Sequence, residues 1–442
     1  MARLNQKIPK LTTHEGATAK HISPKQQLER TVMSCMLWEK EAYEDGQDIA
    51  NRIASLVSQL PFNISSEIAI KARTEGHLRH VPLLIAREMA RHTKKGKLDN
   101  FWVSTTIAEV IQRPDELTEF LAIYWKDGKC PLSGQVKKGL AKAFQKFGAY
   151  SLAKYNRLDK AIKLRDVLFL CHAEPLNFEQ DLDWKNLINN KLATPDTWEV
   201  EISASKNKLL SWTRLLSEGK LGGLALLRNL RNMINAGVDP KLIKSILQSV
   251  DFSRVLPFRF VAAARYAPAI ESDIEKAMLG ILAQDTTKLK GNTILLIDVS
   301  GSMNQQLSQK SDMTRTNAAC GLAILAREMC ESVRIFTFSK KLCQIPDRRG
   351  FALRDAIMNS QDHLDTYLGK ALQVIDYLKD TNRLIVFTDE QSRDEIPDLS
   401  FLPNKYLVNI ASAKNGIGYY DWTHIDGFSE AVIKFIIANE AN

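Results

Sequence analysis

The sequence predicts a chain of two parts, a long all-helical region of α-solenoid or large irregular-bundle type followed by a doubly wound α/β domain. Three observations predict it. From about Ser23 to Ala283 the apolar residues recur at helical spacing, with no alternating strand signal. After Lys290, apolar runs of strand length alternate with helical segments, the pattern of a parallel sheet covered on both faces. The length, 442 residues at 45% hydrophobic composition, suits about two to three domains with substantial cores.

The helical elements follow in order. Ile49, Ile53, Leu56, Val57 and Leu60 form one apolar stripe that ends before Pro61. Val81 to His92 reads as the next clear helix. Pro114 and Asp115 open a helix that places Leu117, Phe120, Leu121, Tyr124 and Trp125 on one face, with Gly128 near its end. Further helices are predicted over Gly134 to Phe147, Ala161 to Leu170, and Leu221 to Asn235, the last stopping at Gly237. Asp239 then reads as an N-cap and Pro240 as the first residue of the next helix. No literal repeat is visible, but degenerate helical hairpins keep apolar spacing better than they keep letters.

The second part begins near residue 288. Thr293 to Asp298 (TILLID) is a buried strand, Asp312 to Cys330 a helix, Val333 to Ser339 a second strand, and Gly350 to Met358 and Tyr367 to Leu378 are helices. Arg383 to Asp389 and Lys405 to Ile410 are strands, and Ser429 to Ala438 closes the chain as a helix. The domains are therefore expected at 1–287 and 288–442.

No run approaches the roughly 20 apolar residues of a membrane span, and the opening MARLNQKIPKLTTHEG lacks a signal-peptide core. A cytoplasmic protein without membrane contact is expected. Cys35, Cys130, Cys171, Cys320, Cys330 and Cys343 are scattered with no C-x-x-C pair, so reduced, mostly buried thiols are expected rather than a zinc ribbon or a disulfide framework.

The net charge of +9 is unevenly spread. Between Lys129 and Arg165 ten basic residues face a single acid, Asp159, so this window carries as much net charge as the whole chain. Lys138, Lys142 and Lys146 recur every four residues and predict a basic stripe on one helix face, with Lys137 one position to the side. Lys154, Arg157, Lys160 and Lys163 continue the charge. Such a surface neutralises phosphates with little regard to sequence. Phe147, Tyr150 and Tyr155 lie among these bases, either as core aromatics or, where exposed, as platforms for unpaired nucleotides.

In a doubly wound sheet, ligands bind beyond the carboxyl ends of the strands. Asp298 and Asp389 each follow an apolar strand directly and are expected to meet at one edge, with Ser300 and Ser302 on the loop between. Gly301 lets that loop turn sharply enough to bring both hydroxyls back. Two carboxylates and several hydroxyls, with no His or Cys in the loop, suit a hard divalent cation, magnesium before zinc. A serine hydrolase would need G-x-S-x-G, and here Asp-Val precedes Ser300. A phosphoaspartyl transferase would want a carboxylate where Ser300 stands, and no G-x-x-x-x-G-K-[ST] loop is present. The bland alternative is that Asp298 and the serines simply cap the following helix.

D-x-S-x-S after a buried strand, a threonine about 65 residues on and a strand ending in T-D resemble the metal-ion-dependent adhesion site (MIDAS) of von Willebrand factor A domains. The resemblance places Asp298, Ser300, Ser302, Thr366 and Asp389 as metal residues, the hydroxyls binding directly and the aspartates mostly through water, with Mg2+ as the expected ion. Where that family often has Gly-Gly-Thr, this chain has Leu364-Asp365-Thr366. In the helical part, Trp212 to Met233 (WTRLLSEGKLGGLALLRNLRNM), VLPFRFVAAARYA, GLAKAF, LAKYNR and LRDVLFLCHAEP resemble the TROVE module of the Ro autoantigen family and its bacterial orthologues.

That resemblance implies a monomeric ring of HEAT-type helical repeats closed by the A domain, an RNA-binding protein rather than an enzyme. It implies binding of small noncoding Y-like RNA and of single-stranded 3′ ends of misfolded RNA in RNA quality control, with an exoribonuclease as a partner in bacteria. Lys137, Lys138, Lys142, Lys146, Lys154, Arg157 and His172 are the expected RNA-binding residues, His172 because it matches a histidine of the family's RNA-binding region. The alternative is an adaptor whose metal site grips an acidic side chain of a partner such as an AAA ATPase; it does not require the basic window.

Overall fold

The structure is a computed structural model and describes residues 20–21, 23–32, 46–93, 98–253, 255, 257–284, 288–307, 313–389, 392–411, 417–419, 421–427 and 431–440. Its elements begin with β1 (Lys20–His21), α1 (Pro24–Val32), α2 (Gly46–Gln59), α3 (Phe62–Thr74), α4 (His80–Arg91), α5 (Phe101–Val110) and α6 (Pro114–Tyr124). There follow α7 (Gly134–Phe144), α8 (Ala149–Tyr155), α9 (Leu164–Cys171), α10 (Phe178–Ile188), α11 (Trp198–Ala204), α12 (Lys208–Ser217), α13 (Gly223–Asn235), α14 (Pro240–Ser249), α15 (Pro257–Tyr266) and α16 (Glu271–Gln284). The last part contains β2 (Leu289–Asp298), α17 (Arg315–Met329), β3 (Cys330–Phe338), β4 (Leu342–Ile345), α18 (Gly350–Met358), α19 (Leu368–Gln373), β5 (Arg383–Thr388), β6 (Asn404–Asn409), β7 (Ile417–Gly418), β8 (Thr423–Asp426) and α20 (Ala431–Glu440).

The chain divides into two compact units: Ala50–Leu221 with Asn235–Leu242, and Met1–Ile49 with Gly222–Ile234 and Ile243–Asn442. In the first, the predicted stripes are the buried faces: Ile53 and Val57 of α2, and Leu117, Phe120 and Leu121 of α6, are buried, while Leu60 and Trp125 at the stripe ends are half-exposed. Alternate helices stack. α3 packs on α5, α5 on α7 and α7 on α9, while α4 packs on α6. This is the two-layer order of a helical-hairpin array, in which each hairpin needs its neighbour to cover its apolar face.

The approach of α5 to α7 is set by Gly139. A Cβ there would lie 2.7 Å from the Ile107 Cβ and 2.9 Å from the Ser104 carbonyl oxygen. A second tie is ionic. Glu116, fully buried at the start of α6, accepts from Arg73 Nη2 of α3 (2.8 Å) and from the Gln112 amide (2.8 Å), and Arg73 Nε donates to the carbonyl of Val110 (3.0 Å). The paired charges and backbone donors supply what burial of that carboxylate needs.

The second unit holds a six-stranded sheet in the order β4-β3-β2-β5-β6-β8, parallel except for β4, which runs antiparallel on the edge. Thr293–Asp298 and all of β5 are buried, as expected of strands covered on both faces. β4, β8 and the small antiparallel pair β1–β7 are not in the sequence prediction; their short, mixed-polarity segments carry no apolar run. The helix expected over Tyr367 to Leu378 is instead α19 followed by a 3-10 turn at Asp376–Asp380. The helix expected from Asp312 begins at Arg315, with Thr314 as N-cap; Asp312 itself lies outside the described residues, as does Ser429 of the closing helix.

Elements that precede residue 288 complete this unit. α15 and α16 pack on α17, and Gly321 admits the Phe258 backbone and Cβ at 3.1–3.3 Å from where its own Cβ would be. Glu275 accepts from the Phe351 amide and Arg354 pairs with Glu271 (3.0 Å). α1 lies beside β8, where Arg30 Nε donates to Asp426 Oδ1 at 2.8 Å with both side chains buried. Among the described cysteines all thiols are free, Cys130 exposed and Cys171, Cys320 and Cys330 buried; Cys35 lies outside the described residues. Among the described residues no helix is long and apolar enough to cross a membrane.

Candidate metal centre and nucleic-acid surface

The carboxylates expected to meet do so because their strands are neighbours. β2 and β5 pair in parallel with Ile297 opposite Phe387, so Asp298 and Asp389 leave the same edge of the sheet. Both are buried. Asp298 Oδ1 accepts from the Ser300 amide (2.8 Å) and Oδ2 from the Thr388 hydroxyl (2.6 Å). Burial, and then repulsion from Asp389, push the Asp298 carboxyl up to about 7, against the opposing pull of those hydrogen bonds.

The hydroxyls are brought in by two loops. Ser300 and Ser302 flank Gly301 in a single tight turn, their Oγ atoms 3.2 Å apart. The Gly301 amide donates to the Leu364 carbonyl (2.8 Å), so the loop bearing Thr366 lies against the serine loop. Ser339, just after β3, fixes that second loop: its hydroxyl donates to the Asp365 carbonyl (3.0 Å) and accepts from the Leu364 amide (2.9 Å). Thr366 is buried, and its carbonyl accepts from the Arg393 amide (3.0 Å). Asp365, the departure from Gly-Gly-Thr, pairs with Arg393 (3.1 Å) and Lys340 (3.5 Å).

The donor set fits a hard cation. Among the described residues no group of three or more His, Cys, Asp or Glu is placed to hold a metal ion, so any ion here depends on the hydroxyls. Magnesium bound octahedrally at about 2.0–2.1 Å places neighbouring oxygen ligands about 3 Å apart, and the Ser300–Ser302 separation of 3.2 Å matches that spacing. One residue at this site was missed from the sequence. Arg315, the first residue of α17, reaches Asp389 Oδ2 with Nη1 at 2.9 Å. Its only sequence signal is a basic side chain in the first helical turn, where acidic ones are favoured.

The basic residues resolve differently. Ser133 caps α7 by accepting from the Val136 amide, and the apolar face Val136, Leu140, Ala143 and Phe144 is buried. The opposite face exposes Lys138 and Lys142. Lys137, one position aside, comes within 3.4 Å of His172 Nε2, joining α7 to the end of α9. His172 is exposed and left-handed, φ +53°, a conformation uncommon for a residue with a Cβ. Lys154 and Arg157 are exposed, but Arg157 is paired to Asp159 through two contacts of 2.9 Å.

Lys146 is exposed as a residue, like Lys138 and Lys142, but its ammonium is engaged. Its ammonium turns inward onto the carbonyls of Ala108 and Ile111 (3.2 Å to the latter), at the C-terminal end of α5. Burial holds that ammonium below the ordinary lysine value. Of the interleaved aromatics, Phe147 is a core residue, Tyr155 is half-buried beneath the Arg113 guanidinium (4.7 Å), and Tyr150 is exposed at 61%. Beyond the predicted set, α9 and α10 expose Phe169 and Phe178 close in sequence to His172.

These features define a class: a helical-repeat protein joined to a doubly wound α/β domain with a six-stranded sheet, with a hydroxyl–carboxylate cluster at the carboxyl edge of that sheet. Residues 185–341 match the TROVE domain family. The chain is similar to telomerase protein component 1 of Mus musculus, 30% identical over 206 residues, and to that of Rattus norvegicus, 29% identical over 206 residues. Each alignment covers 43% of this chain and 8% of the relative, so the chain spans a small part of those proteins' length. The RO (RSR) protein of Deinococcus radiodurans has the same fold, with a TM-score of 0.65 at 16% identity, covering 94% of this chain and 99% of that one.

Proposed function

We propose that this protein binds RNA, specifically small structured noncoding RNA and unpaired 3′ ends, and that it acts in RNA quality control as a binder and scaffold with no chemistry of its own. The observation that carries this reading is the exposed face of α7, where Lys138 and Lys142 stand beside the Lys137–His172 pair. Lysines held on a rigid helix give phosphate contacts without sequence preference. The exposed imidazole of His172 and aromatics such as Tyr150 add surfaces on which unpaired bases stack. The TROVE match and the Ro fold support the reading. The free thiols fit a reducing compartment such as the cytoplasm.

We further propose that Asp298, Ser300, Ser302, Thr366 and Asp389 hold Mg2+. When bound, the ion offers a Lewis-acidic position to an acidic side chain of a protein partner, for which an exoribonuclease is the candidate this reading favours. The residues themselves orient the hydroxyls and bury the carboxylates.

Sequencing RNA that copurifies at low salt tests the main reading; recovery of no RNA would move the assignment to the protein-adaptor alternative. In quantitative binding, Lys138→Ala with Lys142→Ala should weaken affinity for a structured small RNA and lower the slope of log K against log salt by about 0.7–0.9 per lost phosphate contact. An unchanged affinity and slope would remove the assigned surface.

A further inference from the structure

Arg315 occupies the metal cluster with a charge of its own. Its guanidinium Nη1 lies 2.9 Å from Asp389 Oδ2 and 3.3 Å from the carbonyl of Ser302, while Nη2 lies 3.3 Å from Gln305 Oε1. Its backbone amide donates to the carbonyl of Gln305 (3.0 Å). The side chains of Arg315 and Asp389 are 3% and 0% exposed. An arginine so deeply buried is held by its charge partners, because an uncompensated guanidinium would not leave water. Thr314 and Asn317 cap α17 reciprocally, and Thr316 donates to the Met303 carbonyl (2.9 Å). Arg315 is therefore on a rigid helix start fastened to the same loop that carries Ser302.

We infer that Arg315 is the resident cation of this site and that a divalent ion enters by exchange with it. The inference rests on the reading of the cluster as a metal site and adds how that site is controlled. A guanidinium and a divalent ion both seek the charge of Asp389, and their like charges oppose simultaneous occupancy of adjacent positions. Entry of the ion therefore requires the guanidinium to leave Asp389, and with it the Ser302 carbonyl and Gln305. Two consequences follow. Divalent ions bind more weakly than the donor set alone would allow, and ion binding is linked to the position of the Ser302 loop and the first turn of α17. The cluster is thus an exchange site in which Arg315 neutralises Asp389 until an ion takes its place.

Titration of the full-length protein with Mn2+, read by the loss of the free-ion electron paramagnetic resonance signal, tests this. Arg315→Gln removes the competing charge and should bind Mn2+ about ten- to a hundredfold more tightly than wild type. Arg315→Lys, which keeps the charge but loses the planar fork, should fall between them and serves if the glutamine variant does not fold. In thermal melts the glutamine variant should lose stability in chelator and regain it with Mn2+, whereas wild type changes little between the two. Equal Mn2+ affinity in wild type and both variants overturns the exchange while leaving a metal site in place. Tighter binding by wild type makes Arg315 a supporter of the ion and also overturns it. No Mn2+ binding by any of the three removes the metal site itself, and the exchange with it.

Discussion

Lys146 separates what the sequence predicts from what the fold decides. By spacing it continues the stripe of Lys138 and Lys142, yet its ammonium sits on the Ala108 and Ile111 carbonyls at the end of α5. Lys146→Met keeps the hydrocarbon stem and removes only the charge. The last carbonyls of α5 then lose a charged donor, and a hydrogen bond to a charged group contributes about 1.5–3 kcal/mol. The lost cation at a helix C-terminus adds about 0.3–1 kcal/mol. Removal of the penalty for burying the ammonium offsets part of this, so a net loss of about 1–2 kcal/mol is expected. Urea unfolding should register it as a lower midpoint at unchanged m-value. In RNA titrations the variant should match wild type in affinity and salt slope, whereas Lys142→Ala should not. Full stability combined with an RNA defect equal to that of Lys142→Ala would refute the inward placement of this side chain.

Other outcomes test the remaining structure. Gly139→Ala places a methyl 2.7 Å from the Ile107 Cβ; overpacking of about 1–3 kcal/mol or more should outweigh the gain in helix propensity of about 1 kcal/mol, and a stabilised variant in urea melts would contradict the α5–α7 approach. His172→Gly relieves a left-handed residue, so folding stability should rise by up to about 1 kcal/mol while RNA affinity falls a few-fold, a divergence measurable by melting and filter binding on one preparation. Burial pushes the Cys171 thiol up to about 11 and the Cys320 thiol up to about 12, and the thiolate is the reactive form. At pH 8 in native buffer, iodoacetamide followed by peptide mass analysis should therefore find Cys130 alkylated well before either; early modification of Cys320 would refute its burial.

The periodicities of the chain determined a good deal. Stripes such as Ile49, Ile53 and Val57, or Leu117, Phe120 and Leu121, face the core because an amphipathic helix has one way to hide its apolar side. The buried runs Thr293–Asp298 and Arg383–Thr388 could only be interior strands, and their placement brings Asp298 and Asp389 to one edge. Two-residue spacing around a glycine was enough to set Ser300 beside Ser302. Such features are local: the residues that make them also enforce them. What the sequence could not reveal depends on partners far along the chain. Arg315 meets Asp389 across 74 residues, Arg30 meets Asp426 across 396, and Lys146 meets the end of α5 across 35 to 38. The edge strands β4 and β8 are short and gain their hydrogen bonds only from a sheet already formed. Spacing along the chain fixes which face of an element is buried, but a long cationic side chain takes whichever carboxylate or carbonyl packing brings within reach, and that choice belongs to the tertiary structure.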